Sequence, residues 1–273
     1  MKSKQFIFYL LAVVQVAVYG QDYYDAAHSR KFAEYLFKTG QYNLAAQEYE
    51  RAVFLNPPDT VARLHLIRSY RLDGQYARCI ELTERFFFDS LSSMPVSHAR
   101  EYIRSLILQK EYEKACVFTG ASTMLADREK DEDMVSIMLL KKEWSAAQKY
   151  SEQHPAVRPA LASLAGEASS LRYKKPGLAL LFSTILPGSG KVYSGRWKDG
   201  LISFLFVSTN IFQAYRGFSK KGTESAYGWI FTGLAIGFYG GNLYGSYKAA
   251  EVYNNRLDEE FYTKAEHIIY SGF

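Results

Sequence analysis

An internal repeat constrains this chain more than any other feature. Four short centres, Gly40-Gln41-Tyr42, Gly74-Gln75-Tyr76, Lys110-Glu111-Tyr112 and Lys142-Glu143-Trp144, follow one another after 34, 36 and 32 residues. Each aromatic is followed three residues later by a small side chain, Ala45, Cys79, Ala115 or Ala147. A period of this length marks stacked supersecondary units, none of which buries its apolar face alone. The aromatic fills the space between neighbouring helices, and the small residue lets two helix backbones approach. The predicted fold class is therefore all-α: a helical-hairpin solenoid over residues 21–165, in about four helix-turn-helix units, followed by an α-helical membrane hairpin domain.

The repeat centres resemble those of tetratricopeptide-repeat proteins. In the first unit Tyr49, Ala52 and Pro57 fall where that family places its later aromatic, its second small residue and its terminating proline. The resemblance covers about Ala26 to Pro155 and implies a concave groove lined by the first helix of each unit. Carried over by register, the groove positions include Arg30, Arg68, Arg71, Arg100 and Arg104. Arg68 and Arg71 are three apart, and Arg100 and Arg104 four apart, so each pair shares a helix face. One reading is a basic groove for an acidic peptide or a chain-terminal carboxylate, which a guanidinium binds bidentately. The other is a solvated helix face.

The first 20 residues read as a signal peptide. Lys2 and Lys4 precede an apolar run from Phe6 to Val18, and Val18 and Gly20 are small enough for signal peptidase, with a mature terminus at Gln21. An uncleaved anchor is the alternative, because Tyr19 interrupts the small-residue pattern. Cys79 and Cys116 are read as buried thiols, with a disulfide as the alternative in an oxidising envelope. The histidines are scattered without metal-site spacing, so no metal is predicted.

A polar linker over 166–176 leads to a membrane domain over 177–247. It comprises a short apolar segment at 177–186 and two spans at about 200–215 and 227–247. Between them stands Pro187-Gly188-Ser189-Gly190-Lys191-Val192-Tyr193-Ser194-Gly195-Arg196. Proline disfavours helix in the residue before it and the glycines permit positive φ, so the backbone must turn here. The Gly190-Lys191 pair is not a phosphate loop: Ile185 and Val192 stand where that loop needs a glycine and a Ser or Thr. The motif residues Pro187, Gly188, Gly190, Tyr193, Gly195, Arg196 and Gly200 resemble a small bacterial membrane domain of the two-transmembrane kind. That resemblance implies an architecture and no chemistry; Gln is common in the family where this chain has Lys191.

From 172 to 221 every charged residue is basic except Asp199, although the whole chain is only +5. Basic residues flanking apolar runs favour anionic lipid headgroups over nucleic acid. In the second run Gly233, Gly237, Gly241 and Gly245 recur at every fourth position, predicting close helix approach and a route to an oligomer. The basic loop between the spans is placed in the cytoplasm, and the array outside the inner membrane, on the periplasmic side. Residues 248–273 read as an amphipathic C-terminal helix that either packs on the array or lies on the membrane. No nucleophile with a base, carboxylate pair or metal cluster stands out, so neither an enzyme nor a cofactor is predicted. The functional reading is an envelope scaffold that recruits a partner protein or peptide. The alternative is a membrane component of a transport, insertion or lipid-binding complex whose repeats regulate access.

Overall fold

The computed structural model describes residues 25–273, so the predicted signal peptide and Gln21 lie outside the described residues. Among the described residues the chain is all-α, with thirteen α-helices packed as sequential hairpins. It divides into two compact units, one ending at Ile137 and the other beginning at Met138.

The first unit holds α1 (Ala26–Lys38), α2 (Tyr42–Leu55), α3 (Thr60–Leu72), α4 (Tyr76–Phe86), α5 (Val96–Leu108), α6 (Tyr112–Ala121) and the start of α7 (Asp127–Leu140). Asp25 and Asp59 cap α1 and α3 by accepting from the N–H groups of His28 and Ala62. The repeat centres are the C-terminal caps. Gly40 and Gly74 take φ of 77° and 80°, and Lys110 takes 65° at the equivalent place. The next N–H then reaches back five residues, from Gln41 to Leu36, Gln75 to Tyr70 and Glu111 to Leu106, at 2.9, 2.9 and 2.8 Å. This six-to-one bond satisfies an otherwise orphaned carbonyl and turns the chain into the second helix of each pair. Ala45, Cys79 and Ala115 are fully buried, as their spacing predicts. Tyr49, Leu66 and Ile67 complete the core around the first two.

The second unit contains the end of α7, then α8 (Trp144–Gln153), α9 (Pro159–Ser169), α10 (Pro176–Ile185), α11 (Ser189–Tyr193), α12 (Trp197–Lys221) and α13 (Ala226–Tyr270). The fourth repeat centre follows the same cap geometry, with Lys142 at φ 61° and Glu143 N–H bonded to the Met138 carbonyl at 2.9 Å. Its aromatic packs differently. Trp144 meets Phe261 of α13 edge-on at 5.1 Å and donates to the Tyr173 hydroxyl, and Lys264 of α13 pairs with Glu167 of α9.

The structure bears on three further sequence expectations. The helix runs through residue 169, into the predicted linker, and the remaining linker is pinned by paired hydrogen bonds between Lys174 and Asn254. The C-terminal amphipathic segment is helical and continuous with the second predicted span. Nothing between Tyr247 and Glu251 breaks the chain, so α13 continues for 45 residues and buries Phe261, Ala265 and Ile269 near α8. Finally, among the described residues no helix is long and apolar enough to cross a membrane. The predicted spans are helical within α12 and α13, but glycine, tyrosine, tryptophan and Asn242 dilute the apolar stretch of α13, and Lys198, Asp199 and Arg216 bound that of α12.

Candidate functional site

The five arginines predicted for the groove lie on α1, α3 and α5, the first helices of successive pairs. Their positions do not leave them as a simple solvated row. Arg30 reaches Asp59 at the start of α3 at 3.1 Å, Arg71 reaches Glu101 of α5 at 2.5 Å, and Arg100 pairs with Glu129 of α7. The sequence separations are 29, 30 and 29, so each bond joins one first helix to the next. These ion pairs hold the first-helix row together. Glu129 and Arg100 are substantially exposed, and such a pair contributes little by itself.

The site tightens around Glu101, whose side chain is only 1% exposed. Arg68 donates to one carboxylate oxygen at 2.8 Å and Arg71 to the other, while Arg104 stands 3.6 Å from the first. Three guanidinium groups thus converge on one carboxylate. Arg71 is 7% exposed and serves the interior, whereas Arg68 and Arg104 keep 33% and 20% of their side-chain surface in solvent. Burial lowers the pKa of Arg104; Glu101 opposes the shift, and Arg71, Arg100 and Arg68 add to it. Guanidinium nevertheless stays protonated at any physiological pH.

The sequence places Arg68 and Arg104 at equivalent positions of consecutive units, and the structure brings both to one acid. Glu101 itself was missed. The available signal was its offset of 30 residues from Arg71, repeated within one residue by Arg30–Asp59 and Arg100–Glu129. Cys79 is buried and Cys116 half-buried, and neither is in a disulfide. Burial pushes the Cys79 thiol up to about 12, despite the hydroxyl of Ser105 at 2.9 Å.

The Pro187 motif is a close-contact device in the second unit. Gly188 sits at φ 89°, and a Cβ there would overlap the carbonyl of Gly200. A Cβ on Gly190 would overlap the carbonyl of Ala179 in α10. Buried polar side chains bind the same turn: Asn242 accepts from Gly188 N–H at 2.9 Å, and Ser183 accepts from Gly190 N–H at 3.0 Å while bonding Ser246 at 2.7 Å. Tyr193 accepts from Lys175 N–H, Gly195 takes φ 82°, and Arg196 bonds Asp199 at 2.6 Å.

Within the chain, the predicted glycine stripe is not where helices meet. A Cβ on Gly233, Gly237 or Gly241 would find nothing within 4 Å, and one on Gly245 would meet only the Lys191 side chain. The inner face of α13 instead carries Gly228, Ala235, Asn242 and Ala249, each seven residues after the last. Its counterpart on α12 is Gly200, Val207 and Ala214 with Gly217, and Gly217 lies against the backbone of Gly228. Seven-residue spacing is the seam of two nearly parallel helix axes. The chain matches no model of a known protein family and no curated protein.

Proposed function

We propose that this chain is a non-enzymatic scaffold of the bacterial cell envelope. Its tetratricopeptide array recruits a partner protein or peptide from the periplasmic side, and the α12–α13 hairpin holds the chain at the inner membrane. The array reading is supported by paired helices that share one cap geometry at 34-, 36- and 32-residue steps. The observation that carries the recruiting role is the cluster of Arg68, Arg71 and Arg104 on the single carboxylate of Glu101. An acidic segment lying over the solvent-exposed edges of Arg68 and Arg104 would accept charge-assisted hydrogen bonds from them, without displacing the Arg71–Glu101 pair.

The test is fluorescence anisotropy of the full chain with a labelled Asp/Glu-rich peptide and a neutral peptide of equal length. The acidic peptide binds the parent chain at least tenfold better, and Arg68→Gln with Arg104→Gln removes the difference. Equal binding of both peptides, or an unchanged double variant, rejects the groove.

A second reading, a membrane-embedded component of a lipid-binding, insertion or transport complex, is favoured by the surface of the second unit. Ile185, Leu205, Phe212, Ile230 and Ile236 are all exposed on α10, α12 and α13. An apolar surface on this scale is a site of contact with lipid or protein. Alkaline extraction of membranes from cells bearing the full chain tests that setting, because a chain released with the soluble fraction is not held by lipid.

A further inference from the structure

Between α12 and α13 lies an open cleft of about 310 Å³ whose floor is Gly237 and Gly241 and whose walls include Phe206 and Phe238. Its polar end is made only of donors and one hydroxyl. Lys191 enters over Gly245, where a side chain would meet its Cε at 3.0 Å, and its amine donates to Ser203 at 2.7 Å. No carboxylate within the described residues pairs with Lys191; the acid lining the adjoining cleft, Asp199, is taken by Arg196. The second polar group is Asn242, which is 3% exposed. Its amide oxygen is occupied by Gly188 N–H, and its amide nitrogen has no partner among the described residues. A buried donor without an acceptor costs about 1–3 kcal/mol, so this arrangement calls for an acceptor from outside.

We infer that this cleft binds the anionic head of a lipid, a phosphate or carboxylate carrying an alkyl chain. The head accepts from Lys191 and from the Asn242 amide, and the chain lies across Phe206 and Phe238. The volume falls at the lower end of small-ligand sites, and a mostly apolar lining with few convergent polar groups is their usual character. A second copy of this hairpin fits less well, because Ile202, Leu234 and Phe238, exposed on the same faces, carry no side-chain acceptor. The glycines at 237 and 241 acquire a role on this account: they keep the cleft open. The inference rests on the lipid-facing reading of the hairpin, but membrane extraction tests that setting while the following measurement tests the site.

The full chain, purified in a non-ionic detergent, is titrated with phosphatidylglycerol, with phosphatidylcholine and with inorganic phosphate, and bound lipid is counted by native mass spectrometry. One phosphatidylglycerol per chain is retained at least tenfold more tightly than phosphatidylcholine. Inorganic phosphate does not compete at millimolar concentration. Lys191→Gln lowers the retention at least tenfold by removing the charge. Gly241→Leu does so by filling the cleft, at a position where an added Cβ has nothing within 4 Å. Equal retention of the two lipids, or retention unchanged in both variants, overturns the proposal. Saturation by inorganic phosphate alone overturns the lipid assignment in favour of a soluble anion. A dimer of the parent chain that Gly241→Leu dissociates in the absence of lipid overturns it in favour of a second copy.

Discussion

Replacing Glu101 by Gln separates a structural arginine cluster from a merely decorative one. Gln keeps the shape and one acceptor oxygen but removes the negative charge on which Arg68, Arg71 and Arg104 converge. Breaking a buried ion pair from one side costs about 3–5 kcal/mol, because the remaining charge is left uncompensated. Two of the three arginines are partly exposed and recover some hydration, so the lower end applies, about 3 kcal/mol, and most of it comes from Arg71. Amide hydrogen exchange of the full chain reads this locally. At about 1.4 kcal/mol per tenfold, the slowest amides of α3 and α5 should exchange roughly two orders of magnitude faster. Those of α12 and α13 should not change. Replacing Arg71 by Met in the same chain removes the stranded charge and should return most of the loss, since buried pairs exchanged for apolar groups are often neutral. Exchange altered by less than threefold in Glu101→Gln would refute the cluster as a structural element. A double variant worse than the single would refute the assignment of the cost to Arg71.

The repeat caps predict opposite outcomes for two exchanges at equivalent positions. Gly74→Ala forces a Cβ into φ 80° and should lower stability by about 1–2 kcal/mol by thermal unfolding, whereas Lys110→Gly relieves φ 65° and should be neutral or stabilising by up to about 1 kcal/mol. Gly190→Ala, which overlaps the Ala179 carbonyl, should leave the second unit sensitive to limited proteolysis, whereas Gly233→Ala, with open space around it, should leave the digestion pattern unchanged. A thiol reagent at pH 8 should modify Cys116 and spare Cys79 until the chain is denatured, read by peptide mass spectrometry, because burial holds the Cys79 thiol protonated to about pH 12.

Much of the fold was legible because it rests on local rules. Gly40, Gly74, Lys110 and Lys142 were aligned from sequence as turn centres, and all four take the left-handed conformation that ends the first helix of a pair. That alignment worked even where glycine was absent, since the aromatic and the small residue kept the register. The arginine row was legible as a row, but not as a set of bonds. Helix-face arguments see neighbours three and four residues apart, while Arg71 and Glu101 lie on different helices, 30 residues apart. The fourth repeat shows the same limit. Its turn was read correctly, yet Trp144 meets Phe261, 117 residues further along the chain (261 − 144), and no periodicity reports such a pairing.

The glycine stripe lies off the seam within the chain for a reason that helix geometry makes explicit. At about 100° per residue, a four-residue step advances 400°, so successive glycines drift by about 40° around the axis. From Gly233 to Gly245 the stripe therefore winds through roughly 120° and cannot stay against one nearly parallel neighbour. A seven-residue step drifts by only about 20° in the opposite sense, which a slight inclination of two helices absorbs. Gly228, Ala235, Asn242 and Ala249 obey the second rule, and they form the buried face of α13. The winding stripe instead leaves that seam, passing from the Lys191 side chain at Gly245 to open space at Gly233. Small residues on one helix thus serve two separate ends. Those spaced by seven set the inner face of α13, and those spaced by four open a path along its flank, where the Lys191 amine and the Asn242 amide lie.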